Sequence, residues 1–204
     1  MTSIYFVLDR SGSMHACLDD TIGGFNAFIE KQKIDNPNGT MSLVLFNDEI
    51  VTAYKNRPIS EVEPLTHKIY FPSGATALLD AIGSAVKMAA TAATNVSVVI
   101  LTDGADNASK TYTKIHINDL IESRRDAWSF VFLGANQDAI KEARSLGIHD
   151  RGAMTFTQNN TRVVFESLSD AFSRQATCDD VTISFTDAER SRSQVQCELD
   201  NIMC

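Results

Sequence analysis

The sequence has little that would tie it to nucleic acid, to a membrane or to an oxidised scaffold. Among its 204 residues 18 are Lys or Arg and 26 are Asp or Glu, a net charge of -8. A phosphate backbone is bound through a basic footprint, which this balance lacks, so nucleic acid is excluded as the expected partner. No cationic run marks a membrane surface, and no apolar run approaches the ~20 residues of a bilayer-spanning helix. The first residues lead straight into a short strand-type run without the basic leader and longer apolar stretch of a signal peptide, so a cytoplasmic chain is expected. The four cysteines (Cys17, Cys178, Cys197 and Cys204) are scattered without C-x-x-C spacing, which fits reduced thiols better than a disulfide framework or a zinc site. A dinucleotide fingerprint, a phosphate-cradling loop ending in Gly-Lys-Ser/Thr and a Gly-x-Ser-x-Gly nucleophile elbow are all absent.

What is present is an ordinary globular composition, 44% hydrophobic and 22% charged, in a chain long enough for one sizeable core. Apolar strand-type runs fall at about Ser3–Leu8, Thr40–Phe46, Glu49–Lys55, Asn95–Thr102, Trp128–Leu133 and Ala153–Thr157. Helical spacing predicts helices from near Leu18 to Asn36, then over Leu78–Ala89, Thr113–Ala127, Gln137–Leu146 and Thr161–Gln175. Asn47-Asp48 reads as the turn of a hairpin, and Asn56–Ser73, with three of the four prolines, as a long connection. This alternation predicts an α/β protein with a doubly wound, mostly parallel central sheet flanked by helices and one antiparallel edge strand. After Thr177 the pattern weakens: Val181, Ile183 and Phe185 alternate as in an edge strand, and a polar, helix-like stretch follows.

Three loops at predicted strand ends are rich in oxygen. Asp9, Ser11 and Ser13 follow the first strand, Ser73-Gly74-Ala75-Thr76 opens a helix, and Thr102-Asp103-Gly104 ends the most apolar strand. In an open parallel sheet ligands bind outside the carboxyl ends of the strands. Carboxylates and hydroxyls without His or Cys suit a hard cation such as Mg²⁺, with Mn²⁺ and Ca²⁺ as the other ions such a set admits. Each piece also has a plain reading: Asp9–Ser13 as a polar turn, Thr76 as a helix cap, and Asp80 as a helix-terminus charge or a support for the site.

Taken together the three loops resemble the metal-ion-dependent adhesion site (MIDAS) of von Willebrand factor A domains, over roughly residues 1–175. Residues 176–204 are then expected as a tail packing on or extending the same domain. The resemblance implies that Ser11, Ser13 and Thr76 ligate Mg²⁺ through their hydroxyls, with Asp9 and Asp103 acting through hydrogen bonds and bridging waters. It implies a non-enzymatic module whose protein partner supplies an Asp or Glu to the metal, and it is nearest in type to stand-alone intracellular microbial and phage members. One departure is Ala75, where the family commonly has a second glycine before the threonine. The alternative function is a Mg²⁺-dependent phosphohydrolase using Asp9 and Asp103, but such enzymes carry a second Asp two residues after the first, where this chain has Ser11. A monomer is expected, with self-association through a neighbour's acid as the structural alternative.

Overall fold

A computed structural model describes residues 2–91, 95–135, 138–177 and 182–194. The strands are β1 (Ser3–Asp9), β2 (Thr40–Phe46), β3 (Ile50–Pro58), β4 (Val96–Thr102), β5 (Trp128–Ala135) and β6 (Ala153–Phe156). They form one sheet in the order β3-β2-β1-β4-β5-β6, parallel except for β3, which returns antiparallel along β2 as an edge strand. The helices are α1 (Leu18–Asp35), α2 (Leu78–Ala89), α3 (Lys114–Glu122), α4 (Ala139–Ser145), α5 (Thr161–Thr177) and α6 (Asp187–Gln194). This is the doubly wound sheet that the sequence predicts.

β1 is apolar without alternation because both of its faces are covered. Ile4, Phe6 and Leu8 enter a core built with α1 and α5, while Tyr5 and Val7 enter the opposite core built with α2, α3 and α4. The first core is held by an aromatic cluster around Phe6, whose ring meets Phe25 edge-on at 5.3 Å and stacks on Phe165 at 6.0 Å. Gly24 lets α1 approach that closely, since a Cβ there would overlap the Phe165 ring.

Several boundaries differ from expectation, and β3 runs on to Pro58, into the stretch read as a connection. α3 stops at Glu122, because the Ser123 hydroxyl and the Arg124 guanidinium take the Leu120 carbonyl and the chain turns towards β5. The alternation around Ile183 and Phe185 is not an edge strand. Residues 182–186 lie outside any strand, Ile183 N–H donates to Ser129 Oγ, and both side chains fill the α1/α5 core. Val181, Gln137, Cys178, Cys197 and Cys204 lie outside the described residues. α6 is anchored by Arg174, which donates to both oxygens of Glu189 at 2.7 and 2.9 Å. Among the described residues no helix is long and apolar enough to cross a membrane.

The sheet order fixes where a ligand can bind. β1 lies between β2 and β4, so the chain winds to one side after β1 and to the other from β4 onward, and a crevice opens at their carboxyl ends. The register sets Leu8 beside Leu101, which places Asp9 next to Thr102.

The aromatic cluster gives the first prediction. Phe6→Ala empties the centre of one core and is expected to cost about 3–5 kcal/mol. Urea unfolding should show a lower midpoint at unchanged slope.

Candidate metal centre

Asp9 ends β1 fully buried, and its oxygens are all engaged. Oδ1 accepts from Ser11 N–H at 2.7 Å, Oδ2 from the Thr102 hydroxyl at 2.6 Å, and the main-chain carbonyl from the Tyr70 hydroxyl at 2.6 Å. Burial pushes the Asp9 carboxyl up to about 6; the bonds from Thr102 and Ser11 pull it down, and the charge of Asp103 adds to the rise. Among the described residues neither Asp9 nor Asp103 has a basic side chain within ion-pair distance. Two carboxylates in one crevice, Asp9 buried and Asp103 half-buried, without a counter-charge are an arrangement whose repulsion a cation would relieve.

The hydroxyls complete it. Ser11 is buried and Ser13 exposed, with their oxygens 3.2 Å apart, and Ser13 Oγ donates to Asp103 Oδ1 at 2.6 Å. The structure therefore brings together the first and third loops, 90 residues apart in sequence. The second loop is tied to the first through its main chain: Gly12 N–H donates to Gly74 O at 3.1 Å and Ser73 N–H to Arg10 O at 2.8 Å. Thr76 is buried beside the third loop, where a Cβ on Gly104 would lie 3.7 Å from its hydroxyl oxygen.

Thr76 does not cap its helix. The cap position of α2 is Ala77, and the free amides of the first turn are taken instead by the loop after β4. Asp106 Oδ1 accepts from Leu79 N–H, and Ser109 Oγ from Asp80 N–H. The Thr76 main chain is held by Asn107, whose Oδ1 accepts from Thr76 N–H at 2.8 Å. Its hydroxyl, with no hydrogen-bond partner among the described residues, remains available to a ligand. The Ala75 departure has no backbone consequence. The left-handed conformation falls on Gly74, at φ 74°, and Ala75 is not among the positive-φ residues.

Several participants carry no local sequence signal. Thr102 follows from strand register, and Tyr70 sits in the long connection. Gln158, in the turn between β6 and α5, donates to Asp103 Oδ2 at 2.7 Å and more loosely to Ser13 O at 3.4 Å. A long-range rule would have pointed to Gln158: its loop leaves the same carboxyl edge of the sheet as the others. Asp80 is neither a simple helix charge nor a member of the site. Its carboxylate accepts from the amides of Lys110, Thr111 and Tyr112 at 2.8, 2.9 and 2.8 Å, clamping the loop that follows Asp103. Cys17 is a free, buried thiol. Among the described residues no group of three or more His, Cys, Asp or Glu could hold a metal, so any ion here would rely on hydroxyls beside two carboxylates.

Two predictions follow from these charges. With a chelator present, the wild type should lose stability as pH rises from the unfolded carboxylate range through about 6, since the fold holds the Asp9 carboxyl above its unfolded value and its ionisation opposes folding. Thermal unfolding of wild type and Asp9→Asn across that range checks it, and the same pH dependence in the variant would contradict the charge argument. Asp80 behaves oppositely. Partial burial works against its charge, but three amide bonds outweigh that and hold its pKa low. Its contribution is present above the unfolded carboxylate range and is lost as pH falls through the lower folded value. Urea unfolding of wild type and Asp80→Ala should differ at pH 7 and converge in acid.

The sequence profile described as the von Willebrand factor type A domain matches residues 4–105, half of the chain. No curated protein sequence matches. Among solved structures, the von Willebrand factor domain of the type V pili tip protein Mfa5 from Porphyromonas gingivalis superposes with a TM-score of 0.66 at 11% identity, covering 88% of this chain and 97% of that one. Proximal thread matrix protein 1 from the mussel byssus gives a TM-score of 0.55 at 19% identity over 82% of this chain. This chain spans 45% of the mussel protein's length. The same mussel protein with a zinc-occupied MIDAS motif gives 0.57 at 18% identity, covering 84% of this chain and 46% of that one. These likenesses agree with the sheet order in showing the fold, and the matched profile shows the family, whose domains are generally protein-interaction modules: the chain belongs to the von Willebrand factor type A domains.

Proposed function

We propose that this domain is a metal-dependent protein-interaction module. Ser11, Ser13 and Thr76 would ligate a divalent cation, Mg²⁺ first, supported by Asp9 and Asp103, and a partner protein would complete the site with an Asp or Glu. The observation that carries this reading is the fully buried Asp9 carboxylate, beside a second carboxylate, with no basic side chain within ion-pair distance among the described residues. The donor set fits: all five side chains offer oxygen only, as a hard cation requires. When bound, such an ion supplies an electron-poor centre open to an outside carboxylate. The chain's own residues prepare that centre. Asp9 fixes the Ser11 amide, and Asp103 orients the Ser13 hydroxyl while being held by Gln158. The exposed Ser13 leaves the site accessible from solvent.

The phosphohydrolase alternative fits less well. Both Asp9 oxygens accept hydrogen bonds in a buried position, which suits a fixed structural charge better than an attacking nucleophile. No observation favours turnover.

Calorimetric titration tests the metal reading. Mg²⁺, Mn²⁺, Ca²⁺ and Zn²⁺ would each be added to chelator-treated wild type, Ser11→Ala, Thr76→Ala and Gln158→Ala; zinc is included because the mussel relative carries it. Loss of binding in the first two variants is expected, with roughly a tenfold weakening in Gln158→Ala, which only orients Asp103. Wild type that binds none of the four ions would sink the proposal.

A further inference from the structure

Only five large hydrophobic side chains are exposed among the described residues: Ile34, Ile50, Val51, Phe71 and Ile115. Ile34 lies at the far end of α1. Ile50, Val51 and Phe71 sit on the carboxyl edge of the sheet, on segments tied to the candidate metal centre. Ile50 and Val51 open β3 directly after the Asn47–Glu49 turn, and Ile115 is in the first turn of α3. That turn is part of the site's frame, since Asn47 donates to Ser73 O at 2.8 Å and its carbonyl accepts from Ala77 N–H.

Phe71 is the most informative of them. It is 61% exposed, although the chain on either side of it is fixed. Tyr70, completely buried, donates to the Asp9 carbonyl, and Ser73 N–H donates to the Arg10 carbonyl. Phe71 is therefore a rigidly based aromatic between two residues that build the Asp9 loop. Its ring meets the exposed His15 edge-on, with centroids 6.0 Å apart, and His15 lies two residues after Ser13. An apolar residue that packing does not require, held in place beside a cation site, has the character of an interface anchor.

We propose that Phe71 and His15 form a specificity subsite for an apolar, preferably aromatic, side chain next to the acid that a protein partner presents to the metal. This rests on the metal-dependent reading above and adds the second half of the recognised motif. The order of the elements supports it: acid and aromatic would both bind along the Asp9–Ser13 and Tyr70–Thr76 frame, and the His15 ring that meets Phe71 lies two residues from the candidate ligand Ser13. The bonds that hold the Asp9 loop come from Tyr70 and Ser73 and not from the Phe71 ring, so altering that ring leaves them in place.

A random heptapeptide display library tests this on wild type and on Phe71→Ser, with capture in Mg²⁺ and elution by chelator. Clones released from wild type should carry an Asp or Glu with an aromatic or large aliphatic residue within two positions, and clones from Phe71→Ser should carry the acid alone. Synthetic peptides with and without the aromatic should then differ about three- to tenfold in affinity for wild type and not for the variant. Acid-bearing clones without any apolar preference, or the same preference on Phe71→Ser, would overturn the subsite and leave the metal reading standing. Clones that chelator does not release, or that lack an acid, would overturn both, as would no enrichment over the uncoated support.

Discussion

Asp9 is the point on which fold and site meet. A carboxylate at the end of a strand buried on both faces is costly to keep, and three separate segments of the chain are shaped around it. Its own loop gives the Ser11 amide, the neighbouring strand gives the Thr102 hydroxyl, and the long connection gives Tyr70 to its carbonyl. Each of these bonds also fixes the next part of the site. The bend at Ser11 brings Ser13 to Asp103, and Tyr70 sets the path of the chain into Ser73 and Gly74. Interactions that organise the loops are thus the ones that hold an uncompensated charge in place, which is a common signature of a site kept for function rather than stability.

The division between capping and ligation shows the same economy. A threonine just before a helix is ordinarily a cap, and the sequence alone leaves that reading open for Thr76. Here the cap is moved elsewhere. Asp106 and Ser109 reach across from the loop after β4 to the first amides of α2, and Asp80 returns the contact by holding the amides of residues 110–112. The two loops are bound to one another by hydrogen bonds that do not involve the Thr76 hydroxyl. Freed from capping, the hydroxyl of the buried Thr76 lies beside Gly104.

Much of this was legible in the sequence, for reasons that also explain what was not. Thr40–Phe46 and Leu78–Ala89 read correctly to the residue because their apolar periods coincide with burial on a sheet or a helix face. The oxygen-rich turns were visible because acids and hydroxyls at the ends of apolar strands are out of place as packing. Ile183 and Phe185 misled because alternation is also produced by an irregular segment that drops every second side chain into a core. Thr102 needed the β1–β4 register, Gln158 needed the position of a loop 55 residues away, and Tyr70 needed the course of a long connection. None of these is a local property. Asp103 could be singled out without them, but the way it is held could not.

The balance of charge explains why hydroxyls and not carboxylates would suit an adhesive ion. Asp9 and Asp103 together can offset a divalent cation, and the Ser11, Ser13 and Thr76 hydroxyls add donors without adding charge. A third carboxylate in the same crevice would over-neutralise the ion and repel an incoming acid across the few ångströms of a shared coordination sphere. Among the described residues no third acid joins these two in a group that could hold a metal, and Asp48 lies against Gly74 on the second loop. No basic side chain among the described residues pairs with Asp9 or Asp103, so neither charge is offset from within the chain. On the proposed reading, what this chain leaves out of the site matters as much as what it places there: it holds enough negative charge to retain a cation and too little to satisfy it, so the remaining attraction is directed at a carboxylate that only another protein can bring.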